Sequence, residues 1–381
     1  MRLIFIEPTP SPNTMKLNVD EKLPAGKRET YALADADAAP EPLAGLLRID
    51  GVRGLFRTAD FIALDRKPGA DWERILSGAR TVLGESADGG KPEDGQAADS
   101  FGEAHAFVQL YRGIPIQVRV RMADREVRAA MPAAFTDAVT RAAAATMIRE
   151  RKLEELGVRY GEPEEIAAEL VRELEAAYPQ QRLDELVADA LAAGAAGGQT
   201  PAPPVRPEPL TTEELAARLQ SPEWNERYEA LNRTIPQPDM LPLLAQCLAD
   251  DNASIRRLAV VYLGELRLPE SMPHLFTALR DSSASVRRTA GDTLSDLGDP
   301  SAIGPMIEAL GDRNKLVRWR AARFLYEAGD DSAVDALRGA SEDAEFEVRL
   351  QARMALERIE RGEEAAGSVW QQMTARERGE G

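Results

Sequence analysis

Two nested periods of apolar positions run through the C-terminal half of the chain. Ile255, Ala259, Leu263 and Leu266 fall at i, i+4, i+8 and i+11, which places them on one face of a helix. The face returns 31 residues later at Val286, Ala290, Leu294 and Leu297, then at Val317, Ala321, Leu325 and Ala328, then at Val348, Ala352, Leu356 and Ile359. Shorter helices precede it, as at Pro273–Leu279 and Ala302–Leu310, across turns built from Gly, Asp and Pro. One hairpin of two such helices cannot bury its own apolar face, so the pattern predicts a stacked solenoid. A looser copy with Trp224, Arg227 and Ala230 predicts an N-terminal cap on the stack.

The N-terminal half alternates instead. Leu3–Ile6, Met15–Val19, Gly51–Arg57 and Asp60–Arg66 read as strands, the last two around a tight Thr58-Ala59 connection. A short helix is predicted at Pro42–Arg48. A longer one starts at an Asp71 cap and carries Trp72, Ile75, Leu76, Ala79 and Leu83. Ala106–Tyr111 and Ile114–Met122 form a predicted hairpin, followed by helices at Pro132–Leu156, Pro163–Ala177 and Gln181–Ala192. Residues 84–100 and 193–209, rich in Gly, Ala, Pro and Asp, read as linkers. The expected division is 1–84 and 101–192 (small α+β units), 205–362 (repeats) and 363–381 (polar tail). The fold class is α+β N-terminal domains plus an all-α C-terminal solenoid of HEAT-like repeats.

Charge and composition narrow the function. Asp and Glu number 64 against 47 Lys and Arg, a formal charge of −17 over 381 residues, so a nucleic-acid partner is not expected. No stretch has the roughly 20 apolar residues that span a bilayer, and the start lacks a signal-peptide pattern, so a cytoplasmic protein without a membrane partner is expected. Cys247 is the single cysteine, and its counterparts in later repeats are Ala278, Ala309 and Ala340, which predicts a buried structural thiol. His105 and His274 have no metal-spaced or triad-like companions, and no phosphate-loop, dinucleotide or nucleophile-elbow motif occurs. No metal, cofactor or catalytic residue is expected, and the chain reads as a non-enzyme.

A polar ladder shares the 31-residue step: Asp250, Asp281, Asp312 and Asp343, with Arg256, Arg287, Arg318 and Arg349. Each Asp is expected to cap the second helix of its repeat, and each Arg to link neighbouring units. Trp319 occupies a column with Arg257, Arg288 and Leu350 that is not a core column. Arg323 and Tyr326 follow at i+4 and i+7, and Arg320 is adjacent, so these positions compose a candidate partner-binding face of hot-spot residue types, together with Arg257 and Arg288. The other reading is that Trp319 packs over a neighbouring arginine. Pro10 and Asn13, in the run Pro8-Thr9-Pro10-Ser11-Pro12-Asn13, are a second candidate surface or a rigid turn.

Several of these segments resemble known families. Asp312, Val317-Arg318, Ala321 and Leu325, with Gly298-Asp299-Pro300 between units, are similar to HEAT-like modules of phycobilin lyases and adaptor proteins over roughly 211–360. Glu7 to Lys16, Pro42-Leu43-Ala44, Ile49 to Phe56, Asp60-Phe61-Ile62 and Asp71-Trp72 resemble the Nfu/NifU N-terminal domain. The order of the two resembles the conserved virulence factor C family of Gram-positive bacteria. The resemblance implies iron–sulfur biology, since Nfu proteins deliver clusters through a Cys-x-x-Cys pair on a C-terminal domain. This chain lacks that pair, and one thiol cannot ligate a cluster. The expectation is therefore an adaptor or scaffold that binds protein partners, iron–sulfur assembly machinery or client proteins among them, linked to iron–sulfur cluster biogenesis or to virulence regulation. The alternatives are a lyase-type or cofactor-handling enzyme, and an iron–sulfur or metal carrier using an intermolecular Cys247 site.

Overall fold

The computed structural model describes residues 1–8, 14–24, 27–67, 70, 72–84, 101–122, 125–143, 151–195 and 207–362. Pro10, Asn13, Asp71, the stretches 85–100 and 196–206 of the two expected linkers, and the tail 363–381 lie outside the described residues. The chain divides into two compact units, residues 1–101 with 343–350, and residues 102–342 with 351–381. The middle segment and most of the repeats, separate domains in the sequence reading, thus belong to one unit.

In the first unit β1 (Leu3–Pro8), β2 (Thr14–Val19), β3 (Arg28–Ala32), β4 (Val52–Thr58) and β5 (Phe61–Arg66) form an antiparallel sheet in the order β1-β2-β5-β4-β3. The β4–β5 hairpin matches the expected alternation, and Ala59 in its turn has φ +48°. Leu17, Leu55, Ile62 and Leu64 bury one face against α1 (Leu43–Leu47) and α2 (Trp72–Leu83), which contribute Leu46, Leu47, Trp72, Ile75 and Ala79. Strand β3 carries no pattern that separates it from a loop: its residues alternate between exposed and half-buried on an edge.

The second unit opens with β6 (Glu103–Tyr111), β7 (Ile114–Met122) and β8 (Arg125–Ala130), then α3 (Ala133–Ala142), β9 (Arg151–Tyr160), α4 (Pro163–Ala177) and α5 (Gln180–Ala195). The strands pair antiparallel in the order β8-β7-β6-β9. Their inward side chains, Ala106, Val108, Val118 and Val120 among them, share a core with Phe135, Ala138, Ile166 and Leu170 of the helices. The single helix expected over 132–156 is corrected here. Helix α3 ends at Ala142, and Arg151–Tyr160 is a strand along the whole of β6. Arg, Lys, Glu and Leu favour a helix locally, but pairing with β6 decides the outcome. Gly157, a poor helix residue, sits at φ +85°, where the register shifts: it faces Ala106 while Glu155 faces Phe107, so Leu156 is the extra residue of a bulge.

The repeats begin with α6 (Thr212–Arg218) and α7 (Trp224–Asn232). Four hairpins follow: α8 (Leu241–Cys247) with α9 (Ala253–Leu266), α10 (Met272–Ala278) with α11 (Ala284–Leu297), α12 (Ile303–Ala309) with α13 (Lys315–Ala328), and α14 (Val334–Ala340) with α15 (Phe346–Glu360). The columns read from the sequence lie where expected, with Ile255, Ala259, Leu263, Val286, Ala290, Leu294, Ala321 and Leu325 fully buried.

The ladder is built differently from the expectation in one respect. Asn252 and Asn314, not the aspartates, cap α9 and α13, accepting from Ser254 N and Leu316 N, and Ser283 holds the N-cap position of α11. Each Asp instead lies two residues earlier and accepts from the backbone N–H of the N-cap residue: Asp250 from Asn252 at 2.8 Å, Asp281 from Ser283 at 2.7 Å, Asp312 from Asn314 at 2.7 Å. The arginines do link units. Arg256 donates through Nε and Nη2 to both oxygens of Asp281 at 2.7 and 2.9 Å, while its Nη1 donates to Asp250 O at 2.8 Å. Arg227 grips Asp250, and Arg287 grips Asp312, with the same fork. Arg318 and Arg349 donate to the turn carbonyls of their own repeats, Asp312 O at 2.9 Å and Asp343 O at 2.7 Å.

Candidate functional site

The face proposed from Trp319 and its neighbours is not open. Trp319 is 3% exposed, Arg320 6%, Arg323 4%, Arg257 5% and Arg288 1%; Tyr326 is half-buried against the repeat core. The expectation of an exposed hot-spot surface is corrected, and the physical reason is inside the chain. Helix α4 and strand β9 of the middle domain are seated on α7, α9 and α11, so Arg257 and Arg288 meet them rather than solvent, while on α13 Trp319 lies by Arg288, Arg320 by Asp292 and Arg323 by Glu327. The sequence cannot show this. A column of Arg, Arg, Trp looks like a wetted face until another segment of the same chain is laid upon it.

The seat has two polar centres. At the first, Glu173 of α4 accepts from Arg159 Nη2 of β9 at 3.1 Å and lies 3.5 Å from Arg257 Nη2 of α9. Tyr228 of α7 lines the cleft with the same carboxylate. Burial works against the Glu173 charge, but Arg257 and Arg159 outweigh it and hold the carboxyl below its usual range. Burial, then the like charge of Arg257, lowers the pKa of Arg159, with Glu173 partly offsetting both. Burial also pushes the Tyr228 phenol far up, so it stays neutral.

At the second centre the Arg288 guanidinium stacks over Tyr160 of β9, 4.1 Å from the ring centroid, and lies 5.3 Å from that of Trp319. The packing of Trp319 over an arginine, the alternative reading of that column, is thus present. Arg288 Nε donates to Asp292 Oδ2 at 2.9 Å, and Arg320 Nε lies 2.7 Å from Asp292 Oδ1. Arg323 pairs with Glu327 at 2.7 Å, one turn along α13.

Between the two walls a cleft of roughly 780 Å³ remains open. Arg159, Arg257 and Glu173 line it; Leu258, Tyr262 and Glu265 of α9 and Asp292 and Asp296 of α11 face them. Residues 156–160 of β9 form a continuous part of its wall, bulge included. The Tyr262 phenol is pushed up to about 12, mainly by burial and then by Glu265. Glu265 itself is held above the usual carboxylate range by partial burial.

The other candidates stay apart from the cleft. Cys247 is buried beneath the ladder, its thiol pushed up to about 12 by burial and then by Asp250. His105 is exposed on β6, 3.5 Å from Glu155. Among the described residues no group of three or more His, Cys, Asp or Glu side chains is placed to hold a metal ion, and no helix is long and apolar enough to cross a membrane.

Comparison with known proteins gives the chain its relatives. The Nfu/NifU scaffold N-terminal family matches residues 4–90, the family described as virulence factor matches 109–187, and HEAT repeats match 212–290 and 272–357. The conserved virulence factor C of Staphylococcus aureus (strain MRSA252) is 46% identical over 381 residues, covering 99% of this chain and all of that protein. The chain belongs to the conserved virulence factor C family. The Bacillus subtilis protein YpgR is 52% identical over 383 residues, the full length of both. Among solved structures, the CpcE–CpcF complex of phycocyanin lyase from Nostoc is 21% identical, with a TM-score of 0.35, over 43% of this chain and 70% of that one. Within the conserved virulence factor C architecture, the middle segment seated on the repeats is the one matched by the virulence-factor family, and the cleft lies along that seat.

Proposed function

We propose that this conserved virulence factor C protein is a non-enzymatic adaptor whose docking site is the cleft between the virulence-factor domain and the HEAT repeats. HEAT repeats are generally protein-interaction elements, and the Nfu-type N-terminal domain supplies a second docking module, directed toward iron–sulfur assembly machinery or its client proteins. One observation carries the reading. Glu173 helps to seat α4 and β9 on the repeats through Arg159 and Arg257, and the cleft beside it offers the aliphatic Leu258 and the aromatic Tyr262, both half-buried. Such a cleft provides rigid contact area at low entropic cost. Cys247, with its raised thiol pKa and burial, does not suit cluster or metal handling.

The double variant Leu258→Ala/Tyr262→Ala tests the adaptor reading. Affinity purification from the native host should lose one set of co-purifying proteins relative to wild type, with the melting temperature within a few degrees. An identical partner profile would overturn the assignment of the cleft.

A further inference from the structure

The floor of the cleft holds more cation than it neutralises locally. Arg159 and Arg257 converge on one carboxylate, Glu173, and the Arg257 contact is long at 3.5 Å. Arg257 is buried, and Nε of both guanidiniums has no hydrogen-bond partner among the described residues. Glu169, the other acid that acts on Arg257, is engaged by the Ser254 hydroxyl at 3.2 Å and lines a separate, smaller pocket. A buried guanidinium held by one long contact is costly, and a second oxyanion beside the Arg257 guanidinium would offset that cost. At the rim the exposed Glu265 has no partner among the described residues, and the exposed Arg267 lines the cleft with it, while Asp292 is already paired with Arg288 and Arg320.

We propose that the cleft takes one carboxylate of a docked protein segment, an acidic side chain or a chain terminus, and holds it on Arg159 and Arg257. This rests on the adaptor reading and supplies its partner chemistry. A single planar carboxylate matches a guanidinium and brings only one negative charge to an already acidic chain. A phosphate chain or nucleic acid would bring several charges past Glu265 and into the field of a chain of net charge −17. Roughly 780 Å³ is ample for one acidic side chain with its flanking backbone.

Calorimetric titration of the full chain tests this with two charged probes, N-acetylglutamate α-amide for an internal side chain and N-acetylalanine for a terminus, against the neutral N-acetylglutamine α-amide. At least one charged probe should bind saturably and the neutral one should not. Arg257→Gln should weaken the charged probe tenfold or more. Glu173→Gln, which removes the competing charge but keeps the size and one accepting oxygen, should tighten it several-fold. A purely structural role for these side chains would weaken binding in both variants or change neither. Equal binding of charged and neutral probes, or no tightening by Glu173→Gln, overturns the inference, including where Arg257→Gln fails to fold. The two readings fail separately: partner loss in Leu258→Ala/Tyr262→Ala without carboxylate binding sinks this inference alone. Carboxylate binding with an unchanged partner profile sinks the adaptor reading.

Discussion

Arg256 and Arg287 each touch two repeats at once, taking turn carbonyls from one and both oxygens of an aspartate from the next. These pairs are mostly buried, so removing one partner would strand a charge, a loss of about 3–5 kcal/mol. Cys247, beneath the first rung, reports on the same packing by titration. Its folded pKa, about 12, lies above the ordinary thiol value, so the folded state holds the proton more tightly. Its contribution to stability is full below about pH 8.5 and is lost as pH rises toward 12. Denaturation midpoints measured from pH 8 to 10 should therefore fall in the wild type and fall less steeply in Cys247→Ala. Equal slopes would show that the thiol is no more protected in the folded chain than in the unfolded one. Its burial was readable beforehand because Ala278, Ala309 and Ala340 occupy its column. The burial of Arg257 and Arg288 was not, since nothing in a helix's own sequence reports what another segment lays across it.

Helices α9 and α11 approach closely because Gly264 faces Thr293. A Cβ added at Gly264 would collide with the Thr293 methyl group. Gly264→Ala should thus cost about 1–3 kcal/mol by overpacking, despite the better helix propensity of alanine. Thr293→Ala in the same chain should restore most of it, as a double-mutant cycle by thermal melting would show. The helical elements were legible wherever one face repeats. Columns 31 residues apart placed the second helix of each repeat, and Pro163 marked the start of α4. Strands β3, β8 and β9 were not. Arg28–Ala32 and Arg125–Ala130 are edge segments without a strong apolar face, and Arg151–Tyr160 is composed of helix formers that become a strand by pairing with β6. The aspartate of the ladder was placed correctly in sequence but given its neighbour's task, because an Asx residue two positions on is as good a cap.

In the second unit the virulence-factor domain and the repeats share three kinds of contact: an ion-pair centre at Glu173, a cation–π stack at Arg288, and the walls of the cleft. Arg288→Ala should loosen both sides of the stack. Hydrogen exchange is expected to speed up in β9 and α13 together, beyond any change in α11 itself. Acceleration confined to α11 would mean that the stack does not couple the two layers. The candidate site was hidden from the sequence for this reason: Arg159, Glu173, Tyr228 and Arg257 lie up to 98 positions apart, and no spacing relates them.

A stack of hairpins that touches only its neighbours behaves like a coil spring, free to change pitch by small rotations at every joint. Here Glu173 reaches α9 while Tyr160 reaches α11, so one rigid sheet-and-helix body is pinned to successive turns of the coil. That splint fixes the pitch along those turns and, with it, the width of the slot a visiting segment must enter. Inserting a 31-residue unit between α9 and α11 would leave every rung of the ladder able to re-form, yet would move the two pins out of step by a whole turn of the stack.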